Sequence, residues 1–238
     1  MISPVKSQAI ARIAILMLAV SAFPLTSALA EGTTAECAPA QGFVDLPPPP
    51  IDRSDRMISR TETILVESPL GTVLTVVNRP LNDVLRPTGA LPGVIGTYPL
   101  TQGDFWGPGS RRLVCLSDGS STEEQVLIRE HGETSYRFRY QVWNYTSSAA
   151  GAIHYAVGEF VFTAPTPDST RIVWTYSFAL RRDRFPGYLG RLGDFLFRIS
   201  FLDRDWAELM QRVLNEYRTA AGKETRLHRE PIFIGEAT

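Results

Sequence analysis

The sequence predicts an α+β domain in which a curved antiparallel sheet wraps around one long C-terminal helix. Two strand-like runs and one helical run carry that prediction. Tyr136, Phe138, Tyr140 and Val142 alternate with Ser135, Arg137, Arg139 and Gln141, and Ile172, Trp174, Tyr176, Phe178 and Leu180 share a face against Arg171, Thr175 and Ser177. A period of two with one apolar face is the pattern of a half-buried strand. Further on, Trp206, Leu209, Met210, Val213, Leu214 and Tyr217 fall at i, i+3, i+4, i+7, i+8 and i+11, an apolar stripe about four turns long. A sheet with one apolar face has to be covered, and this helix supplies the cover.

The N-terminus has the order of a secretory signal peptide. Lys6 and Arg12 stand in an acid-free start, an apolar run extends from Ile13 to Phe23, Pro24 breaks it, and Ala28-Leu29-Ala30 closes it. The run is shorter than the roughly 20 apolar residues a membrane span needs, and the small residues suit a signal peptidase. An uncleaved anchor is the alternative, against which Pro24 and Ala-Leu-Ala argue. Residues 1–30 are thus expected to be removed, leaving a periplasmic or secreted protein that starts near Glu31 and has no integral membrane segment. Cleavage removes two positive charges and no acid, so the net charge moves from −1 to −3. Such a mixed surface argues against a nucleic-acid partner, whose footprint would be basic and clustered.

Residues 31–58 are read as a proline-rich arm, with Pro47 to Pro50 holding it extended. Residues 59–222 form the domain, and 223–238 a tail whose apolar island, Ile232 to Ile234, has no periodicity. Within the domain, Thr61–Leu65 and Val73–Val77 are short apolar runs predicted as one or two strands. Leu81–Leu85 follows as a brief helical turn, then the turn residues Pro87 to Pro92. Arg111–Leu116 and Gln125–Arg129 flank Asp118-Gly119, a strong hairpin dipeptide, and Arg112 is placed to pair with Glu124 or Glu130 across that hairpin. His131-Gly132 turns into Ser135–Tyr145. Ile153–Thr163 and Thr170–Leu180 are joined by Pro165 to Asp168. Asp203 is a candidate cap for the final helix and Gly222 its expected end. Tyr188–Phe201 extends it upstream, although Gly190 and Gly193 weaken a helix there.

This order is similar to the helix-grip fold of the START-like (SRPBCC) superfamily, and within it to the polyketide cyclase/dehydrase and lipid-transport family. The resemblance rests on Trp106 to Arg112, Asp118-Gly119, Glu123-Glu124, Tyr136 to Tyr140, and Thr170 to Trp174 with Phe178. It covers about Thr61 to Gly222. Asn78 to Leu91, short and rich in Pro and Gly, departs from the family's helix carrying a tryptophan, which implies a remodelled front to the cavity. The resemblance implies a hydrophobic cavity between sheet and helix for a lipid, sterol or polyketide-like ligand. The aromatic stripes agree with that reading, while also fitting an ordinary filled core.

The expected ligand-binding residues are Tyr136, Phe138, Tyr140, His154, Glu159, Trp174, Tyr176, Phe178 and Met210. Glu159 shares the Ile153, Tyr155, Val157 and Val161 side of its strand, and His154 the side of Ala156, Phe160 and Phe162. Whichever side faces inward brings one ionisable group into a low-dielectric cavity. No catalytic residue is assigned. The three histidines, His131, His154 and His228, have no metal spacing, and the sequence holds no His-Glu-x-x-His, Cys-x-x-Cys, Gly-x-Ser-x-Gly or phosphate loop, so no metal and no cofactor are expected. Gly103, Gly107 and Gly109 read as a tight turn rather than a phosphate cradle. Cys37 and Cys115 either bridge the arm to the domain or leave Cys115 as a small buried residue; spacing does not decide. Asn144-Tyr145-Thr146 fits a glycosylation sequon. Three functions follow. The first is an exported carrier for a hydrophobic small molecule. The second is a cyclase/dehydratase-type enzyme in which His154, Glu159 or Tyr140 moves a proton. The third is an envelope interaction module with a filled core.

Overall fold

The computed structural model describes residues 37–229 apart from positions 53, 90 and 104. The expected signal peptide and the Ile232 to Ile234 island of the tail lie outside the described residues. Seven strands form one antiparallel sheet: β1 (Met57–Val66), β2 (Val94–Pro99), β3 (Arg111–Leu116), β4 (Ser121–His131), β5 (Ser135–Trp143), β6 (Ile153–Thr166) and β7 (Ser169–Leu180). Their order is β1-β7-β6-β5-β4-β3-β2, so β2 to β7 is a continuous meander and β1 returns to pair with β7. Helices α1 (Leu70–Val77) and α2 (Leu81–Val84) follow β1. The C-terminal segment is one helical run: α3 (Arg191–Phe197), a π-helical stretch (Arg198–Trp206) and α4 (Ala207–Arg229). This is the helix-grip fold.

The core sits where the two expected periodicities meet. Tyr136, Tyr140 and Val142 of β5, and Ile172, Trp174, Tyr176, Phe178 and Leu180 of β7, are buried in one cluster with Leu209, Met210, Val213, Leu214 and Tyr217 of α4. The Asp118-Gly119 turn closes the β3–β4 hairpin, Gly119 N–H donating to the Leu116 carbonyl at 3.0 Å. Arg112 sits directly across from Glu124 and bonds it, as expected.

Three local expectations are corrected and one strand is added. Val73–Val77 is helix, not strand, because Leu70, Val73, Leu74 and Val77 already have helical spacing and Val73 and Val76 bury against the core. Strand β2 carries no clear sequence signal, since Gly96 and Pro99 interrupt its pattern and pairing with β3 supplies what propensity lacks. Asp203 caps nothing: the helix begins a dozen residues earlier, and Asp203 instead pairs with Arg60 of β1 at 2.9 Å. Nor does the helix stop at Gly222; it runs on to Arg229. Gly193 is tolerated in α3 because a Cβ there would lie 1.9 Å from the Pro186 carbonyl oxygen, a contact only glycine permits.

The outer face of the sheet carries its own small cluster, Trp143, Tyr155, Val157 and Ala179. The described part of the arm lies across it. Trp143 Nε1 donates to the Leu46 carbonyl (3.1 Å), Gln141 Nε2 to the Pro49 carbonyl (2.7 Å), and the Tyr155 hydroxyl to Asp55 (2.6 Å). Cys37 and Cys115 are bonded, with Cα atoms 5.6 Å apart. The side-chain amide of Asn144, the expected sequon, is committed to Glu123 (2.6 Å) and the Val44 carbonyl (3.2 Å).

Candidate ligand cavity

Between the inner face of the sheet and the C-terminal helix lies a cavity of about 1060 Å³. That is just above the usual range for small-molecule sites, roughly 300–1,000 Å³. The space exists because large aromatics line the sheet without meeting the helix everywhere. Phe160 stacks on Trp174 with centroids 4.6 Å apart, and Tyr176 packs on Trp206 at 4.5 Å. Trp206 ends the π-helical stretch, a wider winding that recurs at functional sites. Gly158 sits in register between Tyr140 and Tyr176 at the centre of the sheet, and a Cβ there would come within 2.2 Å of Tyr140 Cζ. The glycine thus gives the Tyr140 ring room to lie over β6.

Of the nine expected residues, Tyr136, Phe138, Tyr140, Trp174, Tyr176 and Phe178 line the cavity together. Met210 is fully buried in the core and outside the lining. His154 and Glu159 are elsewhere. A bulge between Ile153 and Tyr155 makes His154 the extra, exposed residue at the start of β6. Glu159 lies on the outer side and pairs with Arg137. The inward side of β6 is therefore that of Ala156, Gly158, Phe160 and Phe162, and it carries no ionisable group.

The cavity's charged groups come from β3 and β4 instead. Arg112 Nε donates to Glu124 Oε2 at 2.6 Å, and its guanidinium lies 3.8 Å from the Phe105 ring centre. Glu124 is only 5% exposed. A second bulge, between Val126 and Ile128, turns Arg129 to the same side as Glu124 although five residues separate them. Strict alternation would put those two side chains on opposite faces, which hid Arg129 from the sequence reading; the mixed apolar and charged run Glu124 to Glu130 was the only signal. The Arg129 guanidinium lies 4.1 Å from the Trp106 ring centre and 4.8 Å from that of Phe138.

Four tyrosines, Tyr140, Tyr145, Tyr176 and Tyr217, also line the cavity, and burial pushes each above the ordinary phenol value. For Tyr140, Tyr145 and Tyr176 the Glu124 carboxylate adds to the shift. They are neutral hydroxyls at physiological pH, able to donate hydrogen bonds but unsuited to act as bases. Tyr145 faces Tyr176, and Trp174 Nε1 faces Tyr140, yet neither reaches hydrogen-bond geometry, and Trp206 Nε1 is likewise unsatisfied. Buried donors without partners mark a wall built to meet something polar. The exposed lining residues include Asn78, Arg79, Pro80, Asn82, Trp106, Ile199 and Phe185, the last 62% exposed. Among the described residues, no three metal-ligating side chains cluster, and no helix is long and apolar enough to cross a membrane.

Fold and cavity together define a helix-grip protein with a partly open, mostly apolar chamber, and solved structures share its architecture. An aromatase/cyclase from Streptomyces sp. R1128 superposes with a TM-score of 0.52 at 14% identity, over 74% of this chain and 100% of that one. Ara h 8.0201 gives 0.50 at 14% identity, over 71% and 99%. The di-domain aromatase/cyclase StfQ from the steffimycin biosynthetic pathway gives 0.50 at 14%, over 73% of this chain and 54% of that one. At such identities the likeness establishes the fold alone, the helix-grip architecture. No protein-family model and no curated protein sequence matches the chain.

Proposed function

We propose that this protein is an exported carrier that sequesters a hydrophobic small molecule between sheet and helix. The observation that carries the reading is the chamber of about 1060 Å³ walled by Tyr136, Phe138, Tyr140, Phe160, Trp174 and Tyr176. A core of this composition would ordinarily close to near-crystalline packing density, and a partly open chamber of that size leaves its aromatic walls against water unless an apolar ligand covers them. Export is supported by the signal-peptide order of residues 1–30 and by the Cys37–Cys115 bond, which suits an oxidising compartment. The test is uptake of fluorescent fatty-acid and sterol probes by the delipidated protein. Binding is expected for the native sequence and a loss of about tenfold or more for Val142→Trp, which fills the chamber from β5. Absence of uptake by the native protein would overturn the reading.

One observation favours a second reading, a cyclase/dehydratase-type enzyme acting on a polyketide-like substrate in the same chamber. Glu124 is buried, held by Arg112, and acts electrostatically on the Tyr140, Tyr145 and Tyr176 hydroxyls. A carboxylate so placed accepts a proton from carbon while neutral phenols donate hydrogen bonds to the developing oxyanion. In this reading the proton-moving group is Glu124, with Tyr140 the one earlier candidate that lies in the chamber. Glu124→Gln would then abolish turnover of a polyketide-like substrate while leaving its binding intact; a substrate panel bound but never converted by the native protein would exclude the reading.

A further inference from the structure

We propose that the occupant of the chamber is an amphiphile with an acidic head, a carboxylate on an apolar body, and that Arg129 receives the head. The proposal rests on the binding reading above and deepens it. The chamber's inner wall holds two arginines with different circumstances. Arg112 is neutralised by Glu124 across the β3–β4 ladder. Arg129 makes no ion pair and no hydrogen bond among the described residues, and its Nε is buried without a partner. Its neighbours are rings: Trp106 from the β2–β3 loop, Phe138 directly opposite it on β5, and Tyr136 at 5.9 Å. Aromatic faces hold a guanidinium in position and attract it, but they do not supply the bidentate acceptor that its planar fork matches.

The electrostatics of the site point the same way. Burial above all disfavours the cation; the neighbouring Tyr136 partly opposes this, the like charge of Arg112 adds to it, and no carboxylate among the described residues offsets it. Of the remaining charged lining residues, Arg79, Arg86 and Asp118 are exposed and Asp205 is half-buried. The inner wall thus carries one surplus positive charge in an apolar chamber. A neutral sterol or hydrocarbon would fill the volume and leave that charge in a still drier environment. A carboxylate would pair with it in a charge-assisted, two-pronged hydrogen bond while its chain lies against Phe138, Phe160 and Trp174. The buried phenol of Tyr136, kept protonated, stands beside the same position as a further donor.

The test compares a saturated long-chain fatty acid with the fatty alcohol of equal chain length, titrated calorimetrically into the delipidated protein at neutral pH. The acid is expected to bind about tenfold more tightly or better. Arg129→Gln is expected to bring the two within about threefold of each other, and Arg129→Lys to keep part of the preference, because it retains charge without the fork. Since no counter-ion is orphaned, the ligand-free melting temperature of Arg129→Gln should stay within a few degrees of the native protein's; if that variant loses its fold, the Arg129→Lys comparison decides. Equal affinity for acid and alcohol in the native protein, or a preference that survives Arg129→Gln, overturns this inference and leaves the carrier reading standing. Binding of neither probe overturns both.

Discussion

Glu123 and Glu124 are neighbours on β4, point to opposite faces of the sheet, and each is buried against an arginine of β3. Their surroundings could hardly differ more. Glu123, with no exposure, accepts hydrogen bonds from Leu46 N–H at 3.1 Å and Asn144 Nδ2 at 2.6 Å, and pairs with Arg111, which also reaches Asp45 of the arm. The outer face is therefore closed: a carboxylate saturated with donors, covered by the arm, and tied down by the disulfide. Glu124 has the one arginine and then faces a chamber where several donors go unanswered. The same dipeptide supplies both halves of the molecule. What separates them is the arm, which covers the outer face, while the inner face borders the chamber.

This contrast makes graded predictions. The largest effect is expected for Arg111→Ala, which strands a buried carboxylate and should cost about 3 kcal/mol or more by urea denaturation. Arg112→Ala should cost clearly less, because Glu124 borders the partly open chamber and water can enter beside it once the guanidinium is removed; equal losses would erase the distinction between the faces. Replacing Cys115 by Ser opens a link between residues 78 apart in sequence and should remove on the order of 2–4 kcal/mol, with little change in probe affinity if the strap is purely structural. Gly158→Ala is expected to cost about 1–3 kcal/mol by pushing the Tyr140 ring aside, and unlike the two outer changes it should also weaken ligand uptake.

The smallest effect is a dependence on pH. Burial raises the folded-state values of Tyr140, Tyr176 and Tyr217 above the unfolded value of about 10. The folded chain then keeps protons that the unfolded chain releases, so stability is intact below about pH 10 and falls as pH rises beyond it. Urea midpoints across that interval should decline, and Tyr176→Phe should flatten the decline by about 1.4 kcal/mol per pH unit. A slope unchanged by that substitution would mean that the phenol is already solvated in the chamber.

The inner face is legible in the sequence because it repeats with the plain periods of strand and helix. Tyr136 to Val142, Ile172 to Leu180 and Trp206 to Tyr217 each show their buried side directly. What escaped the reading is what departs from those periods. Two bulges, at Leu127 and at His154, change which side of the sheet follows, bringing Arg129 into the chamber and leaving His154 outside it. Glu159 was paired across β5 with Arg137, a partner that alternation alone does not choose. The Val73–Val77 helix reversed its β-branched composition because burial outweighs propensity. The arm's docking was beyond reach for a different reason: its carbonyls, not its side chains, take the hydrogen bonds from Trp143 and Gln141, and carbonyls leave no mark in a sequence.

The measurement that tests the division between a closed outer face and an open inner one is native mass spectrometry of the protein purified from its own host, with extraction of whatever it carries. The account predicts a mass above that of the bare chain by one small molecule, released on unfolding and identified as an amphiphile with an acidic group. A spectrum at the bare mass, together with a delipidated protein that takes up no fatty acid, would contradict it and leave the chamber without an occupant.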